Sequence, residues 1–226
     1  MGILINLEGN DAGGKSTQIK LIKDYYENIG KKVKHIHFPM YGHNMFSELV
    51  SRFLRGEFGD NDNVDPIFVA NIYSMDRYMY KEELIKDLEE NDVLLVDRYV
   101  FSNVAYQVSK IKDDYFKSKD DLRNHLIHYE FSFLRLPYPD LILFLDVPLF
   151  EIENRLNKQR VGEDRNYLEG KSDIHEKDIS YQDKVRDVYL SLINMKNFKI
   201  VNTSDNQRIL NPEEIFESYK NYLKIK

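Results

Sequence analysis

Gly9, Asn10, Asp11, Ala12, Gly13, Gly14, Lys15, Ser16 and Thr17 run consecutively and fit G-x-x-x-x-G-K-[ST]. Glycine leaves no Cβ in the way of a close ligand and tolerates positive φ, so this stretch can fold its backbone N–H groups around phosphates. Lys15 would place a point charge on the β- and γ-phosphates of a bound nucleotide, and the Ser16 hydroxyl would ligate Mg²⁺. The apolar run Ile3–Leu7 precedes the motif and a helical pattern, Ser16–Ile29, follows it. Strand, glycine loop and helix in that order aim a helix N-terminus at an anion. A glycine-rich turn that merely opens a helix would have no use for the lysine.

A second constellation, Asp97-Arg98-Tyr99, follows the apolar run Val93–Val96 directly. An acid at the end of a buried strand can hold Mg²⁺ through water or bond the Ser16 hydroxyl, and Arg98 would then be a bidentate anion clamp. By residue type alone, a structural Asp–Arg pair at a sheet end fits equally. The polar stretch Gln159–Lys171 carries Arg160, Arg165 and Lys171. It reads either as an ordinary solvated loop or as a lid that closes over phosphates. His35 with His37, and His125 with His128, lack a third ligand at metal-binding spacing.

These groups need elements to hold them. Strand patterns recur at Val33–Phe38, Val93–Val96, Leu141–Leu145 and Phe198–Val201. Between them lie helical patterns at Phe46–Arg55, Pro66–Glu90, Asn103–Val108, Asp120–Leu134, Phe150–Lys158, Ile179–Asn194 and Pro212–Lys224, with Asp65 and Asn211 as N-caps. With Ile3–Leu7 this makes an α/β chain: a five-stranded parallel sheet with helices on both faces. Ligands in such sheets sit beyond the carboxyl ends of the strands, where Gly9–Thr17, Pro39, Asp97 and Asp146 fall.

At 226 residues, a single domain over 1–226 is expected, with a lid at about 159–172. The net charge of −6 disfavours a broad nucleic-acid footprint, and the lack of cysteine excludes disulfides and thiolate chemistry. The opening Met-Gly-Ile-Leu-Ile-Asn has no basic n-region, and no apolar run approaches bilayer length. The expectation is a cytoplasmic protein with neither nucleic-acid nor membrane partner.

The chain resembles the thymidylate kinase family from Gly2 to about Tyr189. The resemblance rests on Asp11 inside the glycine loop, Phe38-Pro39-Met40-Tyr41-Gly42, Gly56–Asp60, Ile72–Arg77 (I-Y-S-M-D-R) and Asp97–Gln107 (D-R-Y-V-F-S-N-V-A-Y-Q). It implies a three-layer P-loop kinase fold with a lid, MgATP as phosphoryl donor, dTMP as acceptor and a homodimer. It further implies that Tyr73 stacks on thymine while Arg77 and Asn103 bond its edge, with Phe38 lining the base or sugar pocket. Asp11 would take the sugar 3′-hydroxyl, Tyr106 would exclude a 2′-hydroxyl, and Tyr41 and Arg98 would hold the monophosphate. The family places a polar or aromatic residue near His175 at the pocket edge. Tyr73 and Arg77, read without the family, fit an amphipathic surface pair four residues apart better than a base site.

Some members carry an arginine where this chain has Ala12, and others supply it from the lid, which makes Arg160 and Arg165 the candidates here. The implied reaction is in-line transfer from MgATP to dTMP, with Lys15, Arg98 and a lid arginine stabilising charge and Ser16 and Asp97 serving the metal. The alternatives are a deoxynucleoside kinase or another nucleoside monophosphate kinase, then a nucleotide-binding protein without turnover. Asp97 in D-R-Y, where nucleoside kinases need a base for a hydroxyl, favours a phosphate acceptor.

Overall fold

The computed structural model describes residues 1–111, 118–157, 163–171, 173–176, 178–205 and 208–224, and of 163–165 it describes only the backbone. Strands β1 (Ile3–Glu8), β2 (Val33–His37), β3 (Val93–Asp97), β4 (Leu141–Asp146) and β5 (Phe198–Asn202) form one sheet in the order β2-β3-β1-β4-β5. Every pairing is parallel, with Ile3 opposite Val93, Ile5 opposite Leu141 and Leu7 opposite Asp97. The expected architecture is therefore the observed one.

Period-two alternation sends side chains to two cores. Leu4, Leu94, Val96, Ile142 and Phe144 point to one face. There α5 (Val100–Val108) and α8 (Ile179–Ser191) cover them with Val104, Tyr181, Val185 and Tyr189. Ile5, Leu7, Leu95, Leu143 and Leu145 point to the other face. Ile19, Ile22 and Tyr26 of α1 (Lys15–Asn28) and Ile215, Phe216 and Tyr219 of α9 (Pro212–Tyr219) pack against them. A third cluster joins α2 (Met45–Leu54) to α3 (Pro66–Met79) through Val50, Phe53, Val69 and Ile72.

Both expected N-caps form. Asp65 accepts from the N–H of Ile67 and Phe68 ahead of Pro66, and Asn211 makes a reciprocal capping box with Glu214.

Two expected helices are broken. Pro66–Glu90 divides at Tyr80 into α3 and α4 (Lys81–Glu90). The halves bury different surfaces: α3 turns Ser74, Asp76 and Arg77 inward, whereas α4 lays Leu84 and Leu88 on the sheet core. One straight helix could not serve both. Asp120–Leu134 likewise changes from α6 (Lys119–His128) to a π-turn, Tyr129–Phe133, which carries Glu130 into the interior.

In Gln159–Lys171, read as a loop, Glu163–Leu168 forms a 3₁₀ turn, and 158–162 lie outside the described residues. Remaining boundaries shift by a residue or so, apart from an earlier start of α5 at Val100 and closing 3₁₀ turns at Leu192–Asn194 and Lys220–Leu223.

Candidate active site

β1 delivers the chain to the glycine loop at the carboxyl end of the sheet. Gly13 N–H donates to Asn10 O at 3.2 Å, and a Cβ at Gly13 would sit 2.9 Å from that oxygen, so the turn excludes a side chain there. Gly14, at φ 82°, precedes the first residue of α1, a left-handed position that favours glycine. The first-turn N–H groups of α1 are thereby turned into the cleft. Asp11 through Ser16 line this cleft of about 730 Å³. Gly9 and Asn10 lie beneath its wall and hold Lys15: Nζ donates to Gly9 O at 3.2 Å and Asn10 O at 3.0 Å. Thr17 is exposed and faces away. Burial, and then the nearby Arg98 charge, push the Lys15 ammonium down to about 8.

Four groups converge on Asp11, from the end of β3 and from α1, α5 and α8. Its Oδ1 accepts from Arg98 Nη2 at 2.5 Å, and its Oδ2 accepts from Tyr106 Oη at 2.9 Å and Gln182 Nε2 at 3.0 Å. Lys15 contributes charge alone. Burial by itself would raise the Asp11 carboxyl, but Arg98 and Lys15 hold it well below the ordinary carboxylate range. The Arg98 guanidinium lies 5.3 Å over the Tyr106 ring, and its backbone sits at φ 60°, a strained position at the site. Beneath this group Glu8 is fully buried and accepts from Tyr99 N–H, Ser102 Oγ and Tyr189 Oη. Burial raises its carboxyl.

Asp97 and Ser16 both line the cleft, and Asp97 Oδ1 is buried without a hydrogen-bond partner. No group of three or more His, Cys, Asp or Glu is gathered as a metal cage among the described residues. A hydroxyl plus one free carboxylate oxygen is a donor set that fits a hard cation whose other ligands are phosphate oxygens and water.

The far end of the cleft is walled by Tyr73, Asn103, Tyr106, Gln107 and His175. Asn103 Oδ1, both polar atoms of the Gln107 amide, and His175 Nε2 are buried and unpartnered. The His175 ring lies 4.9 Å from that of Tyr106. Phe38 and Arg77, expected at the ligand, are set behind the wall. Phe38 packs on the rings of Tyr80 and Tyr99 at 6.0 and 5.8 Å, leaving Pro39 and Met40 to face the cleft. Arg77 is 1% exposed and forms a two-point pair with Glu130, both contacts at 2.6 Å, which uses Nε and Nη2 and leaves Nη1 out. A buried guanidinium needs such a counter-charge.

Across the mouth, the Tyr41 ring stacks on Tyr167 at 4.1 Å with 4° between planes. Tyr167 Oη donates to Asp173 Oδ2 at 2.8 Å, and Arg55 Nη1 holds Tyr167 O at 2.9 Å. Of the lid arginines, Arg160 lies outside the described residues and Arg165 is described in its backbone only. A different arginine reaches the glycine loop: Arg155, near the end of α7 (Leu149–Leu156), donates from Nη1 to Ala12 O at 3.1 Å and from Nε to Glu151 at 2.6 Å.

Burial, and then the Asp11 charge, raise the Asp173 carboxyl to about 7. An acid that keeps its proton longer when folded loses folding stability as pH rises from about 4 towards 7. Asp173→Asn is therefore expected to melt several degrees above the parent at pH 8 and to lose most of that advantage at pH 5, checked by thermal unfolding at both pH values.

Gln182, Glu8, Glu130, Asp173 and Arg155 escape a reading of motifs. Each is a polar residue inside an otherwise ordinary helix, strand or loop pattern. The one local signal was Glu8, an acid ending an apolar strand immediately before the glycine loop.

The family model "Thymidylate kinase" matches residues 7–213. A probable thymidylate kinase of Thermococcus kodakarensis is 31% identical over 90% of this chain and 90% of its own length. A thymidylate kinase of Mycobacterium tuberculosis is 27% identical over 84% and 85%. The structure of thymidylate kinase from Candida albicans superposes with a TM-score of 0.67 at 24% identity, covering 98% of this chain and 93% of that one, a likeness of fold.

Proposed function

The chain belongs to the thymidylate kinase family, and from that premise we propose how its residues carry out phosphorylation of dTMP to dTDP at the expense of ATP. The observation that carries the reading is the convergence of Lys15, Asp97, Arg98 and the N-terminus of α1 on one cleft whose other end is walled by Tyr73, Asn103 and Tyr106.

The N–H groups of Ala12 to Ser16 and the Lys15 ammonium hold the β- and γ-phosphates of ATP. Lys15 must leave the carbonyls of Gly9 and Asn10 to do so, exchanging two neutral acceptors for charged ones. At the other end Tyr73 stacks on the base, Asn103 bonds its edge, and Tyr106, held by Asp11, stands where a ribose 2′-hydroxyl would go. Tyr41 and Arg98 take the acceptor phosphate. That phosphate has a second pKa near 6, is largely dianionic at pH 7, and attacks without a general base. Charge stabilisation by Lys15, Arg98 and a lid arginine, Arg160 or Arg165, lowers the barrier. Ser16 and the free Asp97 Oδ1 would hold Mg²⁺, which when bound neutralises the phosphate oxygens and orients them.

The proposal includes a homodimer through helix faces. Its support is family membership and exposed Phe68 and Met79 on α3, and sedimentation at twice 26.9 kDa tests it. No helix among the described residues is long and apolar enough to cross a membrane, which is compatible with a reaction in the cytoplasm.

The test is ADP release with MgATP and a panel of dTMP, dUMP, UMP, dCMP, AMP and thymidine. Preference for dTMP supports the whole assignment. Turnover of thymidine but not dTMP removes the phosphate-holding roles of Tyr41 and Arg98. Chelating divalent cations with EDTA is expected to lower turnover at least 10³-fold and excess Mg²⁺ to restore it. Turnover persisting in EDTA would remove Ser16 and Asp97 from metal binding.

A further inference from the structure

The buried carboxylate of Glu130 touches nothing in the cleft, yet it fixes what the cleft presents. Glu130 is 0% exposed and enters the interior on the π-turn after α6. Its Oε2 accepts from Arg77 Nε, and its Oε1 from both Arg77 Nη2 at 2.6 Å and Asn103 Nδ2 at 2.9 Å. Asn103 Nδ2 also lies 3.0 Å from Ala70 O and 3.2 Å from Ser74 Oγ. An amide can face a carboxylate and a carbonyl only with its nitrogen, because both are pure acceptors. Asn103 lines the cleft, and its oxygen is the buried atom left without a partner.

We propose that Glu130 is a positioning residue for base selection: by holding Asn103 Nδ2 it locks the amide with Oδ1 towards the ligand, so the site reads a ring N–H donor. A pyrimidine that carries N3–H satisfies that oxygen. Cytosine offers a bare N3 and leaves two acceptors facing each other in a dry pocket. Arg77 serves this lock by donating to both Glu130 oxygens, so that the carboxylate turns only acceptors towards Asn103. The inference rests on the dTMP kinase reading and adds to it the residue that sets the amide's direction.

Glu130→Gln loosens the lock, because the new amide can offer Asn103 either its nitrogen or its oxygen and only Ala70 O remains as an obligate acceptor for Asn103 Nδ2. The measurement is kcat/KM for dTMP and for dCMP, with KM for ATP and thermal unfolding alongside. The preference for dTMP over dCMP is expected to fall at least tenfold through a higher KM for dTMP, with KM for ATP within twofold of the parent. The double variant Glu130→Gln with Arg77→Met removes both buried charges together, so that no guanidinium is left without its counter-charge and the chain can fold where the single variant does not. Arg77 does not line the cleft, and the preference for dTMP over dCMP is expected to fall at least tenfold in this variant too. A folded single or double variant that keeps the full preference overturns the proposal. A parent protein that phosphorylates neither nucleotide overturns the kinase reading and this inference with it, an outcome distinct from both.

Discussion

Lys15→Ala turns over at least 10³-fold more slowly than the parent at saturating ATP and dTMP, and it melts no lower. The rate loss follows from removing a full charge from the transferring phosphates. A single electrostatic donor at such a site is worth about 10²–10³ and a cationic one 10³–10⁵. The stability expectation follows from burial. Lys15 is 9% exposed and its ammonium is held down at about 8. A base whose folded pKa lies below its unfolded value opposes folding at every pH below about 8, and that opposition fades between 8 and its ordinary value near 10.5. Alanine removes it, so the variant's stability is also flatter between pH 8 and 10. Steady-state kinetics and melting over that pH range check both halves. Undiminished turnover would remove Lys15 from the reaction, and a melting point lowered by many degrees would make the rate loss uninformative.

Arg98→Ala loses about 10³-fold in kcat/KM for dTMP, with KM for ATP little changed. In the proposed mechanism the guanidinium has two tasks at once, as the acceptor-phosphate clamp and as the counter-charge of Asp11, to which it lies at 2.5 Å. Without it Asp11 keeps Tyr106 and Gln182 but loses its strongest electrostatic support, so its carboxyl moves up and the acid limb of the pH–activity profile moves to higher pH. Arg98→Lys recovers little, because an ammonium is a point charge that cannot make the two-point contact. Profiles of kcat/KM against pH for the three proteins decide it. An unmoved acid limb in the alanine variant would separate Asp11 from the reaction.

The succession of strands and helices along the chain and the residues at the strand ends could be read from residues alone, because each rests on a local pattern. The glycine motif, Asp97-Arg98 and the Asp65-Pro66 cap are all contiguous. What escaped reading is non-local. Arg77 looked like a ligand contact until Glu130, 53 positions on, engaged it. Asp11 is completed by Gln182, 171 positions on. The break at Tyr80 has no glycine or proline to announce it and comes from two packing surfaces that disagree. The Tyr41–Tyr167 stack joins segments that neither motif nor period connects.

The strand order also governs how the sheet can come into being on a growing chain. β1 is the first strand made and the central one, yet β2, the second made, pairs only with β3. No strand pair can form until Val93–Asp97 has emerged, and β1 has no second neighbour until Leu141–Asp146 follows. At synthesis rates of about 5–20 residues per second, Leu4, Ile5 and Leu7 wait unpaired for roughly 4–18 s, held at most by the helix that follows them. Sheet assembly in this chain therefore starts late and proceeds in steps, β1, β2 and β3 first, then β4, then β5, and refolding from denaturant falls in the slow class set by long-range contacts.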